Sequence, residues 1–339
     1  MPRFSRWILW PLLTLALPLG AVPASADEAC QETALSALRA CRSGAQDEYQ
    51  ISVGKCTNLE FDPAEARCLK EAGSARTEAL ALCNEQYDSR LDICDRLGGA
   101  PYDPDVNPSL FDTDFQHLSR PNPYFPLGIG DRWVFDGAEH VEIEVLDRAK
   151  SIDGVRCFVV RDVVSVDGVT HEDTEDWFAQ AKNGDVCYFG EEVKDFEIFP
   201  EDEPPTAELV SIDGSFKAGR DGDKPGLAFP YAPRRGQFYR QEFSLGNAED
   251  VADVLTTAYA YGRNAELDRL VPRDLAQLLC SRGDCVVTLE FQPLAPGVFE
   301  RKFYARGIGG FLVIHLDTGE VVQLTGCNVD PRCARLPAP

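Results

Sequence analysis

The side chains in this chain that could do chemistry are mostly carboxylates. Asp and Glu number 56 against 33 Lys and Arg, a formal charge of −23. Acids this abundant make any single pair uninformative, so context must select among them. Glu191 and Glu192 follow Tyr188 and Phe189. An acid held against aromatic rings is poorly solvated and can be kept protonated as a general acid, whereas a solvated strand end is the plainer reading. Asp221 and Asp223, in the glycine-rich run Gly214 to Gly226, have the alternate spacing that could hold a cation such as calcium, although Asp-Gly-Asp also simply makes a turn. Asp103, Asp105 and Asn107 share that alternation, but Pro108 and Asp114 stand where a calcium loop needs Gly and Glu. The four histidines, His117, His140, His171 and His315, have no partners at metal-ligand spacing. There is no Gly-x-Ser-x-Gly, no phosphate-binding glycine loop and no His-Glu-x-x-His. No catalytic residue is assigned, and calcium at Asp221 and Asp223 is the one cofactor considered. The ligand-surface candidates are Trp177, Gln180, Tyr188, Glu191, Glu192 and Gln241, since a polar group facing a concave aromatic sheet suits ligand contact.

The cysteines fix the compartment and one structural element. Residues 1–26 read as a signal peptide, with Arg3 and Arg6, an apolar run from Ile8 to Leu19 and Ala24-Ser25-Ala26 as the cleavage box. The apolar run is short and broken by Pro11 and Pro18, so no transmembrane anchor is expected. Losing the two arginines takes the formal charge from −23 to −25. Such a surface disfavours nucleic acid and anionic lipid. All 12 cysteines follow the leader, which in a periplasmic or extracellular protein implies disulfides.

Cys30, Cys41, Cys56, Cys68, Cys83 and Cys94 are spaced palindromically about residue 62. Spacings of 11 and 15 residues are close to whole helical turns, so the three cysteines of each arm share a face. Two antiparallel helices folded near Asp62-Pro63-Ala64-Glu65, a helix-start signature, would then pair 30 with 94, 41 with 83 and 56 with 68. Small facing residues, Ala45 with Ala79 and Ser52 with Ala72, let the helices approach to the roughly 5.5 Å a disulfide needs. No C-x-x-C and no histidine lies between residues 27 and 97 to support a metal or redox site.

The rest of the chain reads as β. After a turn-rich linker or wrapped segment at 98–121, a meander is expected from His140–Asp147, Cys157–Val166, Val169–Ala181 and the hairpin Trp177–Glu192, with two-residue turns at Asp167-Gly168 and Asn183-Gly184. Further strands are expected at Arg235–Ser244, Val286–Phe291, Phe299–Ala305, Phe311–Leu316 and Glu320–Leu324, with a helix over Ala265–Leu279. The predicted class is α+β: a disulfide-stapled antiparallel helical hairpin at 27–97, a mainly antiparallel β domain at 122–326 forming a curved sheet or partial barrel, and a tail at 327–339. Local closure pairs Cys280 with Cys285 and Cys327 with Cys333. The two turns place Phe178 beside Phe189, and leave Cys157 and Cys187 two strands apart, about 9.5 Å, beyond disulfide reach. Their pairing stays open.

Five ordered segments, NPYFPLGIGDRW (122–133), WFAQAKNGDVCYFGE (177–191), GSFKAGRDGDKPG (214–226), GQFYRQEFSLGNAED (236–250) and ERKFYARGIGGFL (300–312), resemble an uncharacterised family of exported bacterial proteins. That family carries Asn-Pro-Tyr-x-Pro-Leu, Ala-Gln-x-x-x-Gly-x-Val-x-Tyr-Phe-Gly-Glu and Tyr-x-Gln-Glu motifs in this order. The resemblance covers about residues 120–325, with Cys187 standing where a tryptophan is expected and an acidic insertion before Gly214. It implies a boundary and no activity. A looser likeness to the half-barrels of lipoprotein-carrier proteins is one of fold alone.

Three functions follow as expectations. The first is a non-catalytic binding or envelope-interaction module, its curved sheet lined by Trp177, Tyr188, Phe238 and Phe303 and taking a small hydrophobic ligand or an envelope component. The second is a carboxylate-based hydrolase, which needs Glu191, Glu192 or Asp221 to converge in a cleft. The third is a structural module dimerising through the helical hairpin.

Overall fold

The structure, a computed structural model, describes residues 28–60 and 62–338; the expected leader lies outside the described residues. Two long helices come first, α1 (Ala29–Thr57) and α2 (Asp62–Leu97). They are joined by Cys30–Cys94, Cys41–Cys83 and Cys56–Cys68, with Cα separations of 5.7, 5.7 and 5.4 Å. The palindromic ladder is therefore real. Few apolar side chains of the two helices are buried, chiefly Ala34, Ala37, Leu38, Ala72 and Ile93. The rungs stand in for packing by restricting the unfolded chain. No helix among the described residues is long and apolar enough to cross a membrane.

One antiparallel sheet, nearly a barrel, makes the rest. Its strands are β1 (Arg132–Gly137), β2 (His140–Ile152), β3 (Val155–Val166), β4 (Val169–Gln180), β5 (Val186–Glu192), β6 (Asp195–Ile198), β7 (Ala207–Ser211), β8 (Phe216–Lys217), β9 (Lys224–Phe229), β10 (Phe238–Arg240), β11 (Glu242–Phe243), β12 (Val251–Tyr259), β13 (Cys285–Phe291), β14 (Glu300–Ala305), β15 (Gly309–His315) and β16 (Val321–Cys327). They follow the order β10-β12-β13-β14-β15-β16-β1-β2-β3-β4-β5-β9-β11, with β6, β7 and β8 off this path. The short helix α3 (Arg273–Leu279) begins only after Pro272, so the helix expected from Ala265 is half the expected length. A proline at the N-cap fits, because it has no amide proton to leave unpaired.

The two ends of the sheet meet in a single stretch of chain. Phe238–Arg240 pairs with β12 and Glu242–Phe243 pairs with β9, leaving Gln241 as the only residue between them. The strand expected over Arg235–Ser244 is thus broken in the middle, because its two halves serve opposite edges. Gly226 of β9 makes this closure possible: a Cβ there would sit 2.0 Å from the Gln241 carbonyl oxygen and 2.4 Å from the Glu242 nitrogen.

The turns set the registers, and two expectations need correction. Asp167 and Gly168 both have positive φ, 53° and 80°, as a two-residue hairpin turn requires. A bulge between Val164 and Ser165 then shifts the pairing, so Phe158 rather than Cys157 faces Phe178. At the next turn only Gly184 has positive φ (94°), and Ala181 donates to the Asp185 carbonyl, so the loop is longer than the two-residue turn expected at Asn183-Gly184. Phe178 consequently faces Tyr188, and Ala179 faces Cys187; Phe178 is not beside Phe189. The two shifts have opposite sense and bring both cysteines level with Ala179, but β4 still lies between them, so the cysteine conclusion survives. Cys157 and Cys187 are both free, while Cys280–Cys285 and Cys327–Cys333 are closed.

Residues 98–121 are wrapped against the barrel. Tyr102 donates to the Pro225 carbonyl (3.0 Å), Phe111 bridges to Ala181, and Phe115 stacks on Phe158 at 3.7 Å. Asn107 caps a 3-10 turn at Pro108–Leu110 and Asp103 pairs with Lys224, so their alternation is used in turn and surface contacts.

Two outcomes are expected. Gly226→Ala should lower stability by about 2 kcal/mol or more, because the clash is with backbone that cannot swing away. Gly44→Ala, in open space on α1, should raise it by roughly 0.5–1 kcal/mol. Urea unfolding midpoints measure both. Alkylation under denaturing, non-reducing conditions should add two labels per chain, since Cys157 and Cys187 are the free thiols; zero labels would mean a sixth disulfide.

Candidate functional site

The inner face of the barrel holds a cavity of about 330 Å³. Strand alternation decides its lining, since side chains two apart share a face. One wall is apolar, with Trp133 and Phe135 from β1, Ile143 and Val145 from β2, Val160 from β3 and Phe178 from β4. The other is acidic, with Asp162, Asp176, Glu242, Asp250 and Glu290, together with Lys302, Tyr188, Tyr304 and Gln241. The volume lies within the roughly 300–1,000 Å³ usual for small-molecule sites.

Local chain geometry aims each polar group. Trp177 of β4 has no single partner on β5, because a bulge separates the Asp176–Glu191 and Phe178–Tyr188 pairs. Gly190 absorbs that bulge at φ 129°, and a Cβ on it would meet the Phe216 carbonyl oxygen at 2.2 Å. The extra residue turns Glu191 to the Asp176 side and Glu192 outward, where it pairs with Lys194 at 3.0 Å. The sequence Glu191-Glu192 is therefore split between two faces. Gln241, at the seam, donates to Glu290 Oε2 at 3.2 Å. Glu249 and Asp250 are split likewise: Asp250 lines the cavity and Glu249 meets the helical hairpin.

The interior acids divide into answered and unanswered. Glu290 accepts from Tyr304 (2.8 Å), Thr288 (2.6 Å) and Gln241, and pairs with Lys302 at 3.1 Å. Lys302 also pairs with Glu300 at 3.0 Å. Burial alone would lower the Lys302 ammonium, but Glu290 and Glu300 more than offset it and hold it well above its ordinary value. By contrast Asp162, Asp176, Glu191, Glu242 and Asp250 form no ion pair among the described residues. Burial pushes Asp176 up to about 7 despite the hydroxyl of Tyr188 donating to it. Burial and the neighbouring Asp176 push Glu191 up to about 9, and burial raises Asp250 to about 6 against the opposing pull of Lys302. Asp162 and Glu242 are raised well above the carboxylate range by burial, then by Asp176 and Asp250 respectively. Asp162 and Asp176 are half-buried, and both line the cavity.

The remaining candidates fall elsewhere. Trp177 packs on the opposite face of the sheet with Phe189, Cys157 and Val159, under the ammonium groups of Lys150 and Lys217. Gln180 is 1% exposed and structural: it donates to the Arg120 carbonyl (2.8 Å) and accepts from the Asn122 amide (3.2 Å). Asn122 in turn donates to the carbonyls of Gly184 and Phe229 and accepts from the Tyr124 and Phe125 amides. This hub fixes the segment Tyr124–Leu127 over the cavity. Phe238 lies against Phe291 and Arg96, and Phe303 against Tyr259 and Phe311, both away from the cavity. Of the four aromatics expected to line it, Tyr188 alone does. Asp221 sits at φ 54° in a turn closed by Asp223 donating to the Arg220 carbonyl (2.8 Å), and among the described residues no three His, Cys, Asp or Glu side chains gather to hold a metal. Glu191, Glu192 and Asp221 do not converge. Asp162, Asp176, Asp250, Glu290 and Lys302 escaped sequence reading. The signal was an acid two positions from a large apolar residue in a strand, as in Phe158-x-Val160-x-Asp162 and Asp176-x-Phe178.

No protein-family model, curated protein or solved structure matches the chain.

The raised acids set a pH dependence. In the unfolded chain they titrate near 4. Their folded values are higher, so folding takes up protons and stability falls as pH rises between about 4 and the folded values. The Tm should be lower at pH 8 than at pH 5.5. Glu191→Gln should shrink that gap, raising the Tm at pH 8 by a few degrees; an unchanged gap would mean that Glu191 ionises normally.

Proposed function

We propose that this protein is an exported, non-catalytic binding protein whose barrel interior holds a small, largely apolar molecule. The single observation that carries this reading is the cavity itself, with an aromatic wall facing convergent polar groups. The five disulfides fit an oxidising compartment, periplasmic or extracellular. The helical hairpin supports the site by clamping the barrel near its seam. Arg90 makes a bidentate pair with Glu249, at 3.0 and 2.5 Å, with Arg90 5% and Glu249 1% exposed, and Arg96 pairs with Asp253 at 2.6 Å. Kinship with the exported family rests on the five motifs, and four of them supply three structural joints: Asn122 with Gln180, the Gly190 bulge, and Gly226 against Gln241.

The test is binding of the fluorescent amine N-phenyl-1-naphthylamine. Wild-type protein should enhance its emission saturably, and Ala228→Phe, which fills the cavity from a lining position, should abolish the enhancement with the Tm little changed. No saturable signal from wild type, or equal signal from the filled variant, would refute the reading.

A further inference from the structure

The charge distribution of the cavity selects among ligands. We propose that the cavity takes an organic cation, an ammonium group carried on an apolar or aromatic body, an inference that rests on the cavity being the binding site. Asp162, Asp176, Glu242 and Asp250 line it, and none has an ion-pair partner among the described residues. Lys302, the ammonium on that face, is already held between Glu290 and Glu300 at 3.1 and 3.0 Å. Asp162 Oδ1 and Asp250 Oδ1 are buried with no hydrogen-bond partner at all. A buried carboxylate without a counter-charge is costly, and a cation arriving with the ligand offsets that cost. A neutral ligand leaves these acids protonated, whereas a cation favours their ionised form and an anion opposes it.

The body of the ligand is set by the facing wall. Trp133, Phe135 and Phe178 supply aromatic and apolar area there, which favours a cation with hydrocarbon attached. A bare metal ion fits poorly, since no three acidic or imidazole side chains among the described residues stand close enough to share one. Asp176 and Asp250 titrate near neutrality, so they release a proton to solvent at small cost when a cation arrives.

Isothermal titration with three benzyl compounds tests this. Benzyltrimethylammonium carries the charge, neopentylbenzene is its uncharged isostere and phenylacetate reverses the sign. The cation should bind at least about tenfold more tightly than the isostere, and phenylacetate should not bind. The double variant Asp162→Asn, Asp176→Asn should lose most of that preference while still binding neopentylbenzene, which shows that the barrel remains folded. Equal binding of cation and isostere would overturn the charge inference and leave the cavity reading standing. Failure of both to bind would overturn the two together, and displacement of the cation by millimolar calcium chloride would reassign the acids to a metal.

Discussion

The barrel closes through a single residue, and much else depends on that closure. Gln241 carries the chain from one edge of the sheet to the other, and its carbonyl lies so close to Gly226 that no side chain fits there. A sheet of this order left open would present two unpaired edges, which are templates for aggregation. Closing it also creates an inside. The residues on either side of the seam, Arg240 and Glu242, then face different environments: Arg240 lies over Tyr102 and Phe243, and Glu242 lines the cavity. The helical hairpin docks beside this joint through Glu249 and Asp253. Buried ion pairs of this kind contribute little net stability when intact, but losing one partner costs about 3–5 kcal/mol, so the pair holds the hairpin in one position.

The interior is arranged against its own stability. A core of this size could have been filled with Val and Leu, as its apolar wall is. Five carboxyls without cationic partners on the inner side lose solvation and repel one another, so folding keeps several of them protonated near neutral pH. Such clusters of perturbed acids are commonest at functional sites. The Gly190 bulge has the same character, since it spends a regular ladder pairing to bring Glu191 to Asp176 and Tyr188.

What could be read from sequence was what has a fixed local period. The cysteine ladder was legible because 11 and 15 residues are near-whole helical turns, so spacing alone determined the pairing. Most strands were legible from alternation and turn residues. Closure was not, because Arg235–Ser244 alternates smoothly through the point where it changes partners. Nor were the exact registers: bulges at Val164/Ser165 and beside Trp177 each move a face by one residue, and no local residue type announces both. That single-residue uncertainty is why Trp177 reads as a cavity residue while Asp162 and Asp176 do not; Gln180 has the cavity-side parity of β4 but is taken up by Asn122 and Arg120. Inside and outside exchange with every one-residue slip.

The most direct measurement is a carboxyl carbon-13 NMR titration of the intact protein. The account predicts resonances for Asp250, Asp176 and Glu191 with midpoints of about 6, about 7 and about 9. If instead every Asp and Glu titrated near 4, as solvated carboxyls do, the acids would face water and the buried, uncompensated cavity described for this barrel would be wrong.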